Sequence, residues 1–94
     1  MKVIGLIKLK DTAAFETYRG QVGATVARYG GEIAFRGAFS EIFWNEIACG
    51  EFDAYVELLF PSRDAAVAWA RSPEYGALVA VRSRAMTLTL FGVE

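Results

Sequence analysis

Glu57 stands on an otherwise apolar run, Ala54 to Phe60. A carboxylate buried there would ionise less readily and suit work as a general base. The alternative is a structural bridge to Arg36 or Arg82, since structural ion pairs also perturb ionisation. Arg36 lies between Phe35 and Gly37. Its planar fork is shaped to clamp a carboxylate; otherwise it makes an ordinary ion pair at a sheet edge. Arg82 shares a helical face with Tyr75, Leu78 and Val79. It either meets the same ligand or neutralises the C-terminal end of its helix, and the second role is slightly favoured. Tyr18, Trp44, Tyr55 and Trp69 would together line a cavity for a flat apolar molecule, although aromatics at helix or strand spacing more often fill a core. The candidate set is therefore Glu57 for catalysis and Arg36, Arg82, Tyr18, Trp69 and Tyr75 for ligand binding.

What is missing narrows the chemistry. The chain has no histidine and a single cysteine, Cys49. The usual base near neutral pH, the commonest metal ligand and the proximal haem ligand are all gone. No metal site is expected, and Ser–His or Cys–His nucleophilic catalysis is excluded within one chain. One cysteine forms no internal disulfide, which suits a reducing compartment. Ten basic residues against eleven acidic leave a net charge of −1, without the basic footprint of a nucleic-acid binder. Lys2, Lys8 and Lys10 cluster near the start, as a solvated edge does. "RGAFSEIF", residues 36 to 43, faintly echoes the aromatic signature of RNA-recognition modules. It carries Ala38 and Ser40 where stacking aromatics belong, and no nucleic-acid partner is expected. "VIGLIKL" is too short to span a membrane and lacks the cleavage site of a signal peptide. A cytoplasmic location away from membranes is the expectation.

These residues need a scaffold to position them. Val3 to Leu9 reads as a strand. Asp11-Thr12 caps a helix whose Phe15, Tyr18, Val22, Val26 and Tyr29 recur in steps of three and four, and Gly30-Gly31 ends it. Gly20 and Gly23 inside that helix are read as close packing against the sheet, with room for a ligand as the alternative. Residues 32 to 45 read as a long irregular strand bent at Gly37, "ACGEFD" (48 to 53) as a turn, and Ala54 to Phe60 as a third strand. Pro61 stops that strand, and Ser62 caps a helix running to about Arg71. Ser72-Pro73-Glu74 then starts a second short helix: serine is a good N-cap, proline suits the first helical position and glutamate complements the dipole. It is expected to bury Tyr75, Leu78 and Val79. Met86 to Phe91 forms the last strand, with Met86, Leu88 and Leu90 on one face.

The order β-α-β-β-α-β describes a ferredoxin-like α+β fold, a four-stranded antiparallel sheet with its helices on one face. The strands nevertheless look apolar on both faces. Val3, Ile7 and Leu9 oppose Ile4 and Leu6; Ala54, Val56 and Leu58 oppose Tyr55 and Leu59. Such strands expect cover on both sides, and a second copy of the chain would supply what the helices do not. A homodimer with face-to-face sheets follows, and it accounts for an apolar fraction of 54%.

"ARYGGEIAFRG" (27 to 37), "FPSRDAAVAWARSPEY" (60 to 75) and "VRSRA" (81 to 85) resemble the domain of unknown function 1330 family. The family's tyrosine-glycine-glycine falls on Tyr29, Gly30 and Gly31, and its arginine-glycine on Arg36 and Gly37. Its phenylalanine-proline-serine falls on Phe60, Pro61 and Ser62, its tryptophan on Trp69, its serine-proline-glutamate-tyrosine on Ser72 to Tyr75, and its following arginine on Arg82. The chain departs at Ala38, where a second glycine is frequent, and at Leu59, where an acidic residue is frequent and Glu57 lies two residues earlier on the same strand face. The resemblance implies a dimeric α+β barrel. Its wider relatives include cofactor-independent monooxygenases, muconolactone isomerases and haem-dependent chlorite dismutases; the haem branch normally needs a histidine, which is absent. The expectation is a small homodimer with a small-molecule pocket between sheet and helices. Its ligand would be apolar or anionic, and it would use no cofactor in any oxygenase- or isomerase-like chemistry. The alternative is a non-enzymatic dimerisation or ligand-sensing module.

Overall fold

The computed structural model describes residues 1–94. In chain order the elements are β1 (Lys2–Leu9), α1 (Thr12–Arg28), β2 (Glu32–Ala38), β3 (Ala54–Leu59), α2 (Arg63–Ala70), α3 (Pro73–Gly76), α4 (Val79–Ala85) and β4 (Met86–Val93). The four strands form one sheet in the order β2-β3-β1-β4, and every neighbouring pair is antiparallel. This is the ferredoxin-like arrangement.

The expected caps are present. Asp11 accepts a hydrogen bond from the Ala14 N–H at 3.1 Å, and Ser62 accepts one from Ala65 at 3.1 Å. Gly30 closes α1 with φ of 78°, a conformation that an L side chain resists and glycine adopts freely. Ser72 joins two helices through one hydroxyl: it donates to the Trp69 carbonyl at 2.7 Å and accepts from the Tyr75 N–H at 3.1 Å. The broken helix thus has a polar joint in which the last turn of α2 and the first turn of α3 satisfy each other's free backbone groups.

The helical layer covers one face of the sheet. Registry places Val3, Gly5 and Ile7 of β1 opposite Leu58, Val56 and Ala54 of β3, and opposite Gly92, Leu90 and Leu88 of β4. Val3, Ile7 and Leu58 are buried in one core with Val26, Trp69, Tyr75 and Ala85 from the helices. The other face carries Leu6, Tyr55, Glu57, Leu59 and Phe91, with Phe35 from β2 paired to Glu57.

Three expectations need correction. First, β2 ends at Ala38 and not near residue 45. The Phe39 N–H bonds to the Asp53 carbonyl at 2.8 Å and closes the β2–β3 pair. Beyond it no strand offers a ladder, so an irregular arm follows. A local turn pins that arm, with the Asn45 side chain accepting from the Cys49 N–H at 2.8 Å and donating to the Cys49 carbonyl at 3.0 Å. Second, the helix after Ser72 is itself in two pieces. Gly76 is a poor helix former, and the Leu78 N–H bonds three residues back to Tyr75. The tightened turn shifts the helical phase. The buried positions become Tyr75, Leu78, Val81 and Ala85, while Val79 is left exposed. Third, close packing does not require glycine within α1. A Cβ at Gly20 would meet open space, and one at Gly23 only an ordinary contact with Ile33.

Candidate ligand-binding site

Between α1 and the covered face of the sheet lies a cavity of about 390 Å³, within the size range of small-molecule sites. Its wall is mostly aliphatic. Small residues on the sheet, Ala38 and Ala54, leave room beneath Phe15, Tyr18 and Val22 of α1, and Trp69 closes one side. The wall residues with polar side chains are Tyr18 and Arg19 from α1, Arg36 from β2, Asp53 just before β3, and Tyr55 of β3, whose hydroxyl is engaged by Glu57.

Arg36 alternates onto the covered face because it pairs with Val56. Its guanidinium is at the exposed rim, and none of the chain's four ion pairs includes it. Asp53 is already committed, since its carboxylate accepts the Leu9 N–H at 2.7 Å. Arg19 sits 3.9 Å from Glu16 on the same helix, a loose and solvent-screened pair.

Trp69 is almost fully buried, with its ring centroid 4.5 Å from that of Tyr75 and 5.4 Å from that of Phe60. Its indole N–H donates to the Thr25 hydroxyl at 3.0 Å, and that hydroxyl donates to the Val22 carbonyl at 2.7 Å. Trp69 is therefore core first and cavity wall second. The hydroxyls of Tyr18 and Tyr75 lie 2.9 Å apart, and Arg82 Nη1 donates to the Tyr75 hydroxyl at 3.0 Å. The Arg82 guanidinium carbon is also 5.6 Å from the centre of the Tyr75 ring. Burial, and then the neighbouring Tyr75, pushes the Tyr18 phenol above the ordinary tyrosine range. It remains neutral and able to donate.

The structure thus brings Tyr18, Trp69 and Arg36 together at the cavity and sets Tyr75 and Arg82 behind Tyr18. Glu57 is elsewhere. It projects from the opposite face, 3.3 Å from Lys2 Nζ, and accepts a hydrogen bond from the Tyr55 hydroxyl at 2.9 Å. That bond, aided by Lys2 and opposed by partial desolvation, holds its carboxyl below the usual value; the same bond holds the Tyr55 proton more firmly. The geometry is that of a structural pair, with Lys2 in place of the arginines considered from sequence. Trp44 is on the exposed arm, far out in solvent at 83% exposure. Arg19 and Asp53 were missed. Arg19 was legible as the position four after Phe15, on the border of the helix's apolar stripe; Asp53 had no pattern to mark it.

Several residues of the motifs quoted from the sequence hold the fold together. Tyr29 donates to the Glu74 carboxylate at 3.2 Å, and Arg28 Nε lies 2.7 Å from it. The start of α3 is tied to the end of α1 by this cluster. Residues 3–94 match the model of the domain of unknown function DUF1330. The chain belongs to the DUF1330 family. No curated protein matches the DUF1330 chain significantly. Among solved structures it is similar to the RPA0582 protein of unknown function from Rhodopseudomonas palustris, at 20% identity and TM-score 0.75, over 99% of this chain and 82% of that one. It is similar to SnoaB, a cofactor-independent oxygenase from Streptomyces nogalater, at 16% identity and TM-score 0.64, over 99% and 91% of the two chains. A dimeric ferredoxin-like protein of unknown function from Thermobifida fusca matches at 17% identity and TM-score 0.58, over 98% and 89%. These likenesses establish the fold of the DUF1330 chain.

Proposed function

We propose that this protein binds a small, largely apolar molecule bearing an anionic group, in the cavity between α1 and the sheet. The observation that carries the reading is Arg36: an arginine without a carboxylate partner, at the rim of an apolar cavity. Its planar fork matches a carboxylate, and the aliphatic wall matches a flat or branched hydrocarbon body. Binding is better supported than proton-abstracting catalysis, because Glu57 is on the other face of the sheet and Asp53 is tied to the backbone. Any chemistry in the cavity, cofactor-independent as the likeness to SnoaB suggests, would fall to Tyr18.

The reading includes a homodimer. Phe35 and Phe91 on the uncovered sheet face are exposed, as are Phe43, Trp44 and Ile47 on the arm. A soluble chain rarely leaves so much apolar surface open. A second copy laid sheet to sheet would cover it, in keeping with the dimeric protein of the same fold.

Titration with 2-naphthoate, followed by its fluorescence, tests the site. Saturable binding that weakens by roughly tenfold in Arg36→Ala is expected for loss of a charge-assisted contact at an exposed rim. Equal binding by both proteins would remove Arg36 from the site.

A further inference from the structure

Tyr18 on the cavity wall, with Tyr75 and Arg82 behind it, has a hydrogen count that constrains all three. Arg82 is a donor only. Its Nη1 is 3.0 Å from the Tyr75 hydroxyl, so the Tyr75 oxygen accepts there. The Tyr75 and Tyr18 hydroxyls are 2.9 Å apart, and either could donate to the other. If Tyr18 donated, Tyr75 would keep a proton with nowhere to go, because its hydroxyl has no further partner and its side chain is buried away from the cavity. A buried donor without an acceptor is costly. If Tyr75 donates, every group is satisfied except one: the Tyr18 proton. Tyr18 lines the cavity, so its proton has the cavity's contents as its acceptor.

We infer that Arg82, acting through Tyr75, orients Tyr18 as a hydrogen-bond donor into the cavity, and that the site takes an apolar acid that also presents a carbonyl oxygen. Tyr18 binds that oxygen from the helical wall, while Arg36 on the sheet wall meets the carboxylate. Tyr75 and Arg82 are positioning residues and do not touch the ligand. The inference rests on the cavity reading above and adds the ligand's second polar group. The phenol suits the role because burial keeps it protonated. The chain Arg82→Tyr75→Tyr18 also places a positive charge at its far end, which strengthens each bond along it and favours negative charge on the acceptor oxygen.

The probe is 6-acetyl-2-naphthoate carrying a carbon-13 ketone, bound to the full chain and read by infrared difference spectroscopy and fluorescence titration. Wild type should bind it with the ketone stretch lowered by a hydrogen bond. In Tyr18→Phe the stretch should rise to its unbonded position and affinity should fall roughly threefold to tenfold, the range for one neutral hydrogen bond. Arg82→Met leaves the cavity wall intact and should move the stretch partway in the same direction, which a merely structural arginine would not do. A wild-type stretch already at the unbonded position, with affinity equal to that of Tyr18→Phe, overturns the inference and leaves the cavity reading standing. An unmoved stretch in Arg82→Met overturns the relay even if Tyr18→Phe does not fold. Failure of wild type to bind either naphthoate saturably overturns the cavity reading, and this inference with it.

Discussion

On the helix-covered face of the sheet, Val3, Ile7 and Leu58 are sealed under Trp69 and Val26; on the other face Leu6, Tyr55 and Leu59 are half-buried, and Phe35 and Phe91 are 54% and 44% exposed. The same four strands make both surfaces, and their apolar content is similar. The covered face has its polar atoms paired or aimed at a cavity: Trp69 on Thr25, Arg82 on Tyr75, Tyr75 on Tyr18. The open face has one short network, Lys2–Glu57–Tyr55, set among aromatic and aliphatic side chains. A central apolar area with few charges is the make-up expected of the proposed dimer interface. One face is thus built around a cavity, and the other leaves aromatic side chains open to solvent.

The contrast is broken most severely at Trp69. Trp69→Ala empties the centre of the helical layer and leaves the Thr25 hydroxyl without its donor. A loss of about 3–5 kcal/mol is expected from the cavity created, read as a fall in the denaturant midpoint at unchanged slope. A loss below about 1 kcal/mol would mean that the covered face is not the core described. On the open face the expected result differs in kind. Phe91→Asp should leave the secondary structure intact and convert a dimer into a monomer in sedimentation at micromolar concentration. If wild type and variant sediment alike as dimers, the interface lies elsewhere.

The smallest effect is expected at Glu57. Its folded-state pKa is lowered from the ordinary 4.5. Its contribution to stability is therefore present above about pH 4.5 and lost as pH falls through the lowered folded value. The group is exposed to solvent screening, so the effect is slight. The difference in denaturant midpoint between wild type and Glu57→Gln, measured from about pH 6 down to about pH 3, should shrink toward zero at the acid end. A difference that grows in acid would point to a carboxyl with a raised pKa, the property of a buried base.

Much of the scaffold was legible because local chemistry decides it. Asp11, Ser62 and Ser72 cap where a short polar side chain precedes an apolar period, and Pro73 restarts a helix where its missing N–H costs nothing. The alternation of β3 also put Glu57 on the face of Tyr55 and Leu59. It did not say which face the helices would choose, because both faces are apolar and alternation is symmetric between them. The end of β2 was illegible for a similar reason: a strand stops where its partner stops, and β3 begins only at Ala54. The exchange of Val79 for Val81 depended on a single tightened turn at Leu78. Tyr18, Trp69 and Arg36, which line the cavity, were legible as candidates because large or charged side chains on apolar periods are conspicuous. Asp53, in the loop just ahead of β3 and held there by hydrogen bonds to Ile7, Leu9 and Phe39, had no such pattern.

Native mass spectrometry of the protein purified gently from its own source tests the central claim on both faces at once. The account predicts the mass of two chains carrying a reproducible small adduct, acidic by its fragmentation and absent from Arg36→Ala. A bare mass for wild type and variant alike would contradict a ligand-binding cavity governed by Arg36.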